Sequence, residues 1–133
     1  MTKRAELPSP EARERASTMI RAERARQVSE EGWSAEHDDA HDDGALAAAA
    51  TVYLVSGRDG AAPTDADGRP AGWPWEAAAF KPRGPVSDFT RAGALTLAEI
   101  DRRSRAGLRL GLLPGAVDQI TLHLAEALER ERA

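Results

Sequence analysis

Between residues 37 and 43 the chain reads His-Asp-Asp-Ala-His-Asp-Asp, four aspartates and two histidines in seven positions, with Glu31 and Trp33 just upstream. Three kinds of chemistry fit that density. The first is a hard-ion site. Carboxylate oxygens and retained water suit Mg²⁺ or Mn²⁺, so His37, Asp38, Asp39 and Asp42 form a candidate metal set. An ion held there could bridge a nucleotide phosphate or orient an attacking water, with His37 moving a proton beside Asp38. His37 and Asp38 are accordingly the candidate catalytic pair of a metal-dependent phosphohydrolase. The acids do not follow the register of an EF-hand. His37-Asp38-Asp39-Ala40-His41 has the histidine spacing of the zinc-protease pattern, but with aspartate in the general-base position and no third ligand in view.

The second kind is ligand recognition without metal. Trp33 supplies an apolar wall, His41 a ring that can donate or accept, and the aspartates acceptors for a base or ribose. Basic residues of the second half, Lys81, Arg83 and Arg91, could return to meet a phosphate. The candidate ligand-binding residues are Arg26, Glu31, Trp33, His41, Trp73, Trp75, Lys81 and Arg91. The third kind is structural: Asp42 or Asp43 caps the following helix, His37 pairs with an aspartate, and Trp33 fills a groove between helices. The remaining histidine, His123, falls near Ile120 and Leu124 and reads as a helix residue at the edge of an apolar face.

Helices must position these groups. Ser9-Pro10-Glu11 combines a capping hydroxyl, a proline suited to the first helical position and a favourable first-turn charge, which predicts a helix over about 10–31. Its apolar stripe of Ala12, Ala16, Met19, Ile20 and Val28 is thin, and its arginines and glutamates at three- and four-residue spacing read as a solvated face. If residues 34–43 are helical, Trp33, His37 and His41 share one face. ALAAAATVYLV, from about 45 to 55, predicts a central helix because its alanine run outweighs the β-formers Thr51, Val52 and Tyr53. Residues 56–72 carry the glycine, proline and aspartate density of an exposed loop. After the return at Trp73-Pro74-Trp75, Asp88 can cap a helix through FTRAGALTLAEIDRRSR, in which Gly93 permits close helix approach. Pro114 opens a last helix to about 131, with TVYLV and LRLGLL as the two segments that could instead be extended. The expected architecture is all-α, a compact bundle of about four helices. It forms a single domain over 10–133 after a flexible 1–9, with the long loop between the second and third helices.

Composition narrows the function classes. A formal net charge of −4 argues against a duplex nucleic-acid binder, which needs a concentrated basic surface. The absence of cysteine removes disulfides, thiolate ligands and cysteine nucleophiles. No apolar run approaches the roughly eighteen residues that span a bilayer, and the start lacks a secretory core, so a cytoplasmic protein with no membrane partner is expected.

Two segments, RARQVSEEGWSAEHDDAHDDGALAAAATVY and WPWEAAAFKPRGPVSDFTRAGALTLAEIDR, resemble a small family encoded in bacteriophages and prophages. The resemblance covers about 24–102 apart from the loop. It rests on Arg26, Gln27, Glu31, Gly32, Trp33, His37, Asp38, Asp39, His41, Gly44 and Leu46, then on Trp73, Pro74, Trp75, Lys81, Pro82, Ala92, Gly93, Ala94, Leu95, Ala98, Glu99 and Ile100. The chain departs from the pattern at Ala79-Phe80, where members carry two tryptophans before Lys-Pro. Glu31-Gly32-Trp33, the aspartate pair and Lys81 are also similar, more faintly, to the small helical domain repeated in ryanodine receptors, which implies a compact ligand- or protein-interaction module.

The expectation that follows is a non-catalytic phage-type binding module, in the host cytoplasm, that recognises a nucleotide-like small molecule or a host protein, with a counter-defence role as its use. Homodimerisation is compatible with it. The alternative is the phosphohydrolase with Mg²⁺ or Mn²⁺ as cofactor. Against it stands the lack of a second acidic pair, since Glu99 and Asp101 are not spaced to place two ligands on one helix face.

Overall fold

The computed structural model describes residues 7–41 and 43–132. Most of the segment expected to be a flexible N-terminus lies outside the described residues, and so does Asp42, both as a metal ligand and as a cap. Among the described residues there are five α-helices: α1 (Pro10–Glu30), α2 (Ala35–Asp39), α3 (Ala45–Asp59), α4 (Pro85–Arg105) and α5 (Leu113–Arg132). Among the described residues there is no strand, only an isolated bridge between Thr64 and Pro70. The chain is therefore all-α, with one more helix than the four expected. The additional element is the short α2. TVYLV lies wholly inside α3, and LRLGLL forms the link between α4 and α5, where Gly107 and Gly111 take positive φ values of 71° and 58°. No described helix is long and apolar enough to cross a membrane.

The start of α1 follows the local chemistry of its first residues: Ser9 Oγ accepts from the Ala12 N–H at 3.1 Å, with Pro10 in the first turn. Only Ala12, Ala16, Ile20 and Gln27 of this helix are buried, so it lies on the bundle along a narrow stripe. The approach is close at Gly93 of α4, where a Cβ would come within 2.6 Å of Ile20 Cδ1. Helix α4 is the centre of the fold, packing on α1, α2, α3 and α5. Ile20, Leu46, Phe89, Leu95 and Leu124 are the large apolar side chains at its middle.

Two boundaries differ from the sequence reading. Helix α3 runs to Asp59, so the first four residues of the expected loop are helical, and Ser56 and Gly57 are buried. The cause is packing: Phe89 sits where a Cβ on Gly57 would come within 2.9 Å of its ring. The remaining loop is folded on Asp65, whose Oδ1 accepts from the Asp67 and Arg69 N–H groups at 2.9 and 3.1 Å. Helix α4 starts at Pro85, three residues before the expected cap. Asp88 lies instead in its first turn, accepting from the Arg83 N–H at 2.9 Å and from the Ser56 hydroxyl at 2.8 Å, and so ties the end of α3 to the start of α4.

Two buried carboxylates are held by arginines. Asp38 is fully buried and receives Arg24 Nη2 at 2.6 Å. Glu99, equally buried, receives Arg102 Nε at 2.7 Å and Arg103 Nε at 2.8 Å. Burial alone would raise the Glu99 carboxyl, but the hydrogen bonds from the two arginines outweigh it and hold the group below its ordinary range.

Candidate functional site

The last turns of α1 present Glu23, Arg26 and Gln27 on one side. Gly32, with φ 71°, then turns the chain so that the Trp33 N–H bonds back to the Gln27 carbonyl at 3.0 Å. Ser34 caps α2 by accepting from the His37 N–H at 3.2 Å. This short helix brings the fourfold-spaced rings together. Trp33 and His37 stack at 5.6 Å and 6°, and His37 meets His41 edge-on at 4.9 Å. Returning from the loop, Trp75 packs against His41 at 5.3 Å and lies 6.4 Å from Trp33. Trp73, buried behind it, touches Trp75, Tyr53 and Phe80, and its Nε1 donates to the Glu76 carbonyl at 2.8 Å.

These elements enclose a cleft of about 190 Å³. Trp33, Tyr53, Trp73 and Trp75 form its aromatic part; Glu23, Arg26, Gln27 and Glu31 come from α1 and its C-terminal turn; Lys81 and Arg91 complete it. A second hollow of about 510 Å³ shares Glu23, Arg26, Glu31, Lys81 and Arg91 with it and extends to Arg83, Ser87 and Thr90. The aromatic cleft and the more basic hollow thus adjoin, with these five side chains common to both.

The charges in the basic hollow are unequal in availability. Arg26 is bound by Glu23 through its Nε at 2.8 Å and by Glu31 through Nη2 at 2.9 Å, contacts that raise its pKa further above the arginine range. Lys81, Arg83 and Arg91 have no carboxylate partner among the described residues. Arg91 is nevertheless fixed. Its Nη1 donates to the Lys81 carbonyl at 2.6 Å and to the Tyr53 hydroxyl at 3.2 Å, and its guanidinium lies 5.6 Å from the Tyr53 ring centre. The same hydroxyl accepts from the Lys81 N–H at 3.0 Å. Tyr53 therefore pins the basic segment to α3. Guanidinium and ammonium groups held without an internal counter-charge are suited to an anion.

Of the eight candidate ligand-binding residues, Arg26, Glu31, Trp33, Trp73, Trp75, Lys81 and Arg91 meet in this cleft. His41 does not line it and stands behind Trp75. Glu23, Gln27 and Tyr53 line it without having been singled out as ligand contacts. For Glu23 and Gln27 a signal existed, since they flank Arg26 one helical turn apart. Tyr53 carried none, because its segment read only as buried helix.

The metal and catalytic sets are arranged otherwise. The Asp38 carboxylate is committed to Arg24 and faces His37 Nδ1 at 3.3 Å, while Asp39 is held by Arg105 Nη2 at 2.8 Å. Among the described residues no three His, Asp or Glu side chains are grouped so that they could hold a metal ion. Of the set expected to hold Mg²⁺ or Mn²⁺, Asp42 lies outside the described residues, and the Asp38 and Asp39 carboxylates are turned to arginines. Neither His37 nor Asp38 lines the cleft, so they are not placed as an acid–base pair for a ligand bound there. His123 stacks on Phe89 at 5.3 Å and 18°, as a packed helix residue.

Comparison with known proteins finds no matching family model, no matching curated protein and no matching solved structure.

Proposed function

We propose that this chain is a non-catalytic module that binds a nucleotide-like small molecule, with the base against the tryptophans and the phosphate at Lys81, Arg83 and Arg91. One observation carries the reading: a cleft with an aromatic end adjoins a hollow lined by Lys81, Arg83 and Arg91, three cations with no carboxylate ion-pair partner among the described residues. A base is flat and apolar on its faces and a phosphate is a compact dianion, so a ligand with both suits both ends. A host protein would be the better fit to a broad exposed face, whereas the aromatic groups line a cleft around the buried Trp73.

Turnover is not part of the proposal. The two carboxylates at the cleft, Glu23 and Glu31, are engaged with Arg26, and the His37/Asp38 pair lies behind Trp33. The phosphohydrolase alternative would need those carboxylates released from their arginines. Taken with the resemblance to phage-encoded proteins, sequestration of a nucleotide signal in counter-defence is the use we propose.

All three tryptophans of the chain line the cleft, so intrinsic fluorescence reports on it directly. Titration with adenosine, AMP and ADP should give a saturable change, tighter with each added phosphate and weakened by salt. A flat response to all three, with specific capture of a host protein instead, would replace the small-molecule reading.

A further inference from the structure

Gln27 differs from every other polar group of the cleft. It is 2% exposed, its Nε2 donates to Glu23 Oε2 at 3.3 Å, and its Oε1 is closed off from solvent with no hydrogen-bond partner. The orientation of the amide is set by its neighbour: a carboxylate only accepts, so the nitrogen faces Glu23 and the oxygen is left over. A buried acceptor without a donor weakens the free protein, and neighbouring groups do not serve it. Arg26 is taken up by Glu23 and Glu31, and the Trp33 N–H is taken up by the Gln27 main-chain carbonyl.

We propose that Gln27 determines base specificity, its Oε1 accepting an N–H from the bound base, so that the site selects a purine bearing an exocyclic amino group. This rests on the nucleotide reading above. The terminal torsion of a glutamine is broad and the hold on Glu23 is long, so the amide can turn its oxygen towards the cleft when a donor arrives. An exocyclic amine projects beyond the ring and carries two N–H donors, so it is the base donor best placed to meet such an acceptor. Trp33 and Trp75, tilted 58° to one another with ring centres 6.4 Å apart, line the same cleft as Gln27, so a base resting on either indole lies in the hollow that Gln27 also borders.

The test compares AMP and GMP with purine riboside 5′-monophosphate, which has the same sugar, phosphate and ring system but no amine, by calorimetric titration of the full chain. The better of the two amino-bearing nucleotides should bind about tenfold or more tighter than the control. Gln27→Leu should bring that ligand down to the affinity of the control measured on the same variant, with thermal melting confirming the fold. Equal affinities in the wild type, or a preference that survives Gln27→Leu, overturn the role of Gln27 and leave the nucleotide reading standing. Absence of binding by all three overturns both. Should Gln27→Leu fail to fold, Gln27→Met, which keeps the length of the side chain and removes the amide, takes its place with the same two outcomes.

Discussion

The chain contains two regions dense in polar chemistry, and they have opposite fates. In the stretch around His37 and Asp38 the charges are adjacent in sequence, yet the structure neutralises them: Asp38 by Arg24, Asp39 by Arg105. In the cleft and the hollow beside it the contributing residues are scattered from Met19 to Leu95, and the cations Lys81, Arg83 and Arg91 have no carboxylate ion-pair partner among the described residues. Charge density along a chain is a poor guide to available charge. What matters is which groups the fold leaves uncommitted.

This contrast makes the acidic stretch a stability element and the cleft a binding element, and each can be tested against the other. The largest effect should come from Asp38→Ala, which leaves the mostly buried Arg24 guanidinium with only the more distant Asp101 carboxylate, at 3.7 Å. Breaking one side of a buried ion pair costs about 3–5 kcal/mol, so the urea midpoint should fall steeply. A variant of normal stability would return Asp38 to the list of functional residues.

Next in size, Trp75→Ala should lower affinity for ADP by an amount corresponding to about 1–3 kcal/mol of lost stacking, while stability changes less than in Asp38→Ala. Calorimetric titration beside a thermal melt separates the two. If affinity is kept, the aromatic end of the cleft is not where the ligand sits.

A smaller effect concerns pH. Because the Glu99 carboxyl is held below its ordinary range in the fold, its contribution is fully present above the unfolded glutamate value of about 4.3 and is lost as pH falls through the lower folded value. Chemical denaturation followed downwards from pH 5 should show that decline, and Glu99→Gln should flatten it. An unchanged slope would mean that other carboxylates carry the acid sensitivity.

Smallest is Asp39→Asn. The Asp39–Arg105 pair is about half exposed on the aspartate side, and such pairs contribute roughly 0–1 kcal/mol. Melting should barely move and ADP affinity should not move at all. A loss of ligand affinity here would tie the acidic stretch to function after all.

How far the sequence reveals all this depends on the range of the interactions involved. Ser9-Pro10 marks the start of α1 because capping is local, and the alanine run makes α3 a helix for the same reason. The spacing of Trp33, His37 and His41 sets their ring contacts once one helical turn is granted. Gly93 is read correctly as a point of close approach, although its partner Ile20 is not named by any local rule. By contrast, the commitment of Asp39 is invisible, since Arg105 lies 66 residues away. The extent of α3 past Ser56 depends on Phe89 and Asp88 from another helix, which is why the loop begins later than its glycines suggest. Tyr53 stays hidden as a site residue because its hydroxyl acts on Lys81 and Arg91, far along the chain.

The most direct test is to follow the three tryptophan indole N–H resonances and the backbone amides by NMR during titration with ADP. Shifts should concentrate at the Trp33 and Trp75 indoles and at the amides of Gln27, Lys81 and Arg91. The Trp73 indole, bonded to the Glu76 carbonyl, should move less. Saturable shifts centred on Asp38, Asp39 and Arg105 with a silent cleft, or no shifts at any residue, would contradict the account.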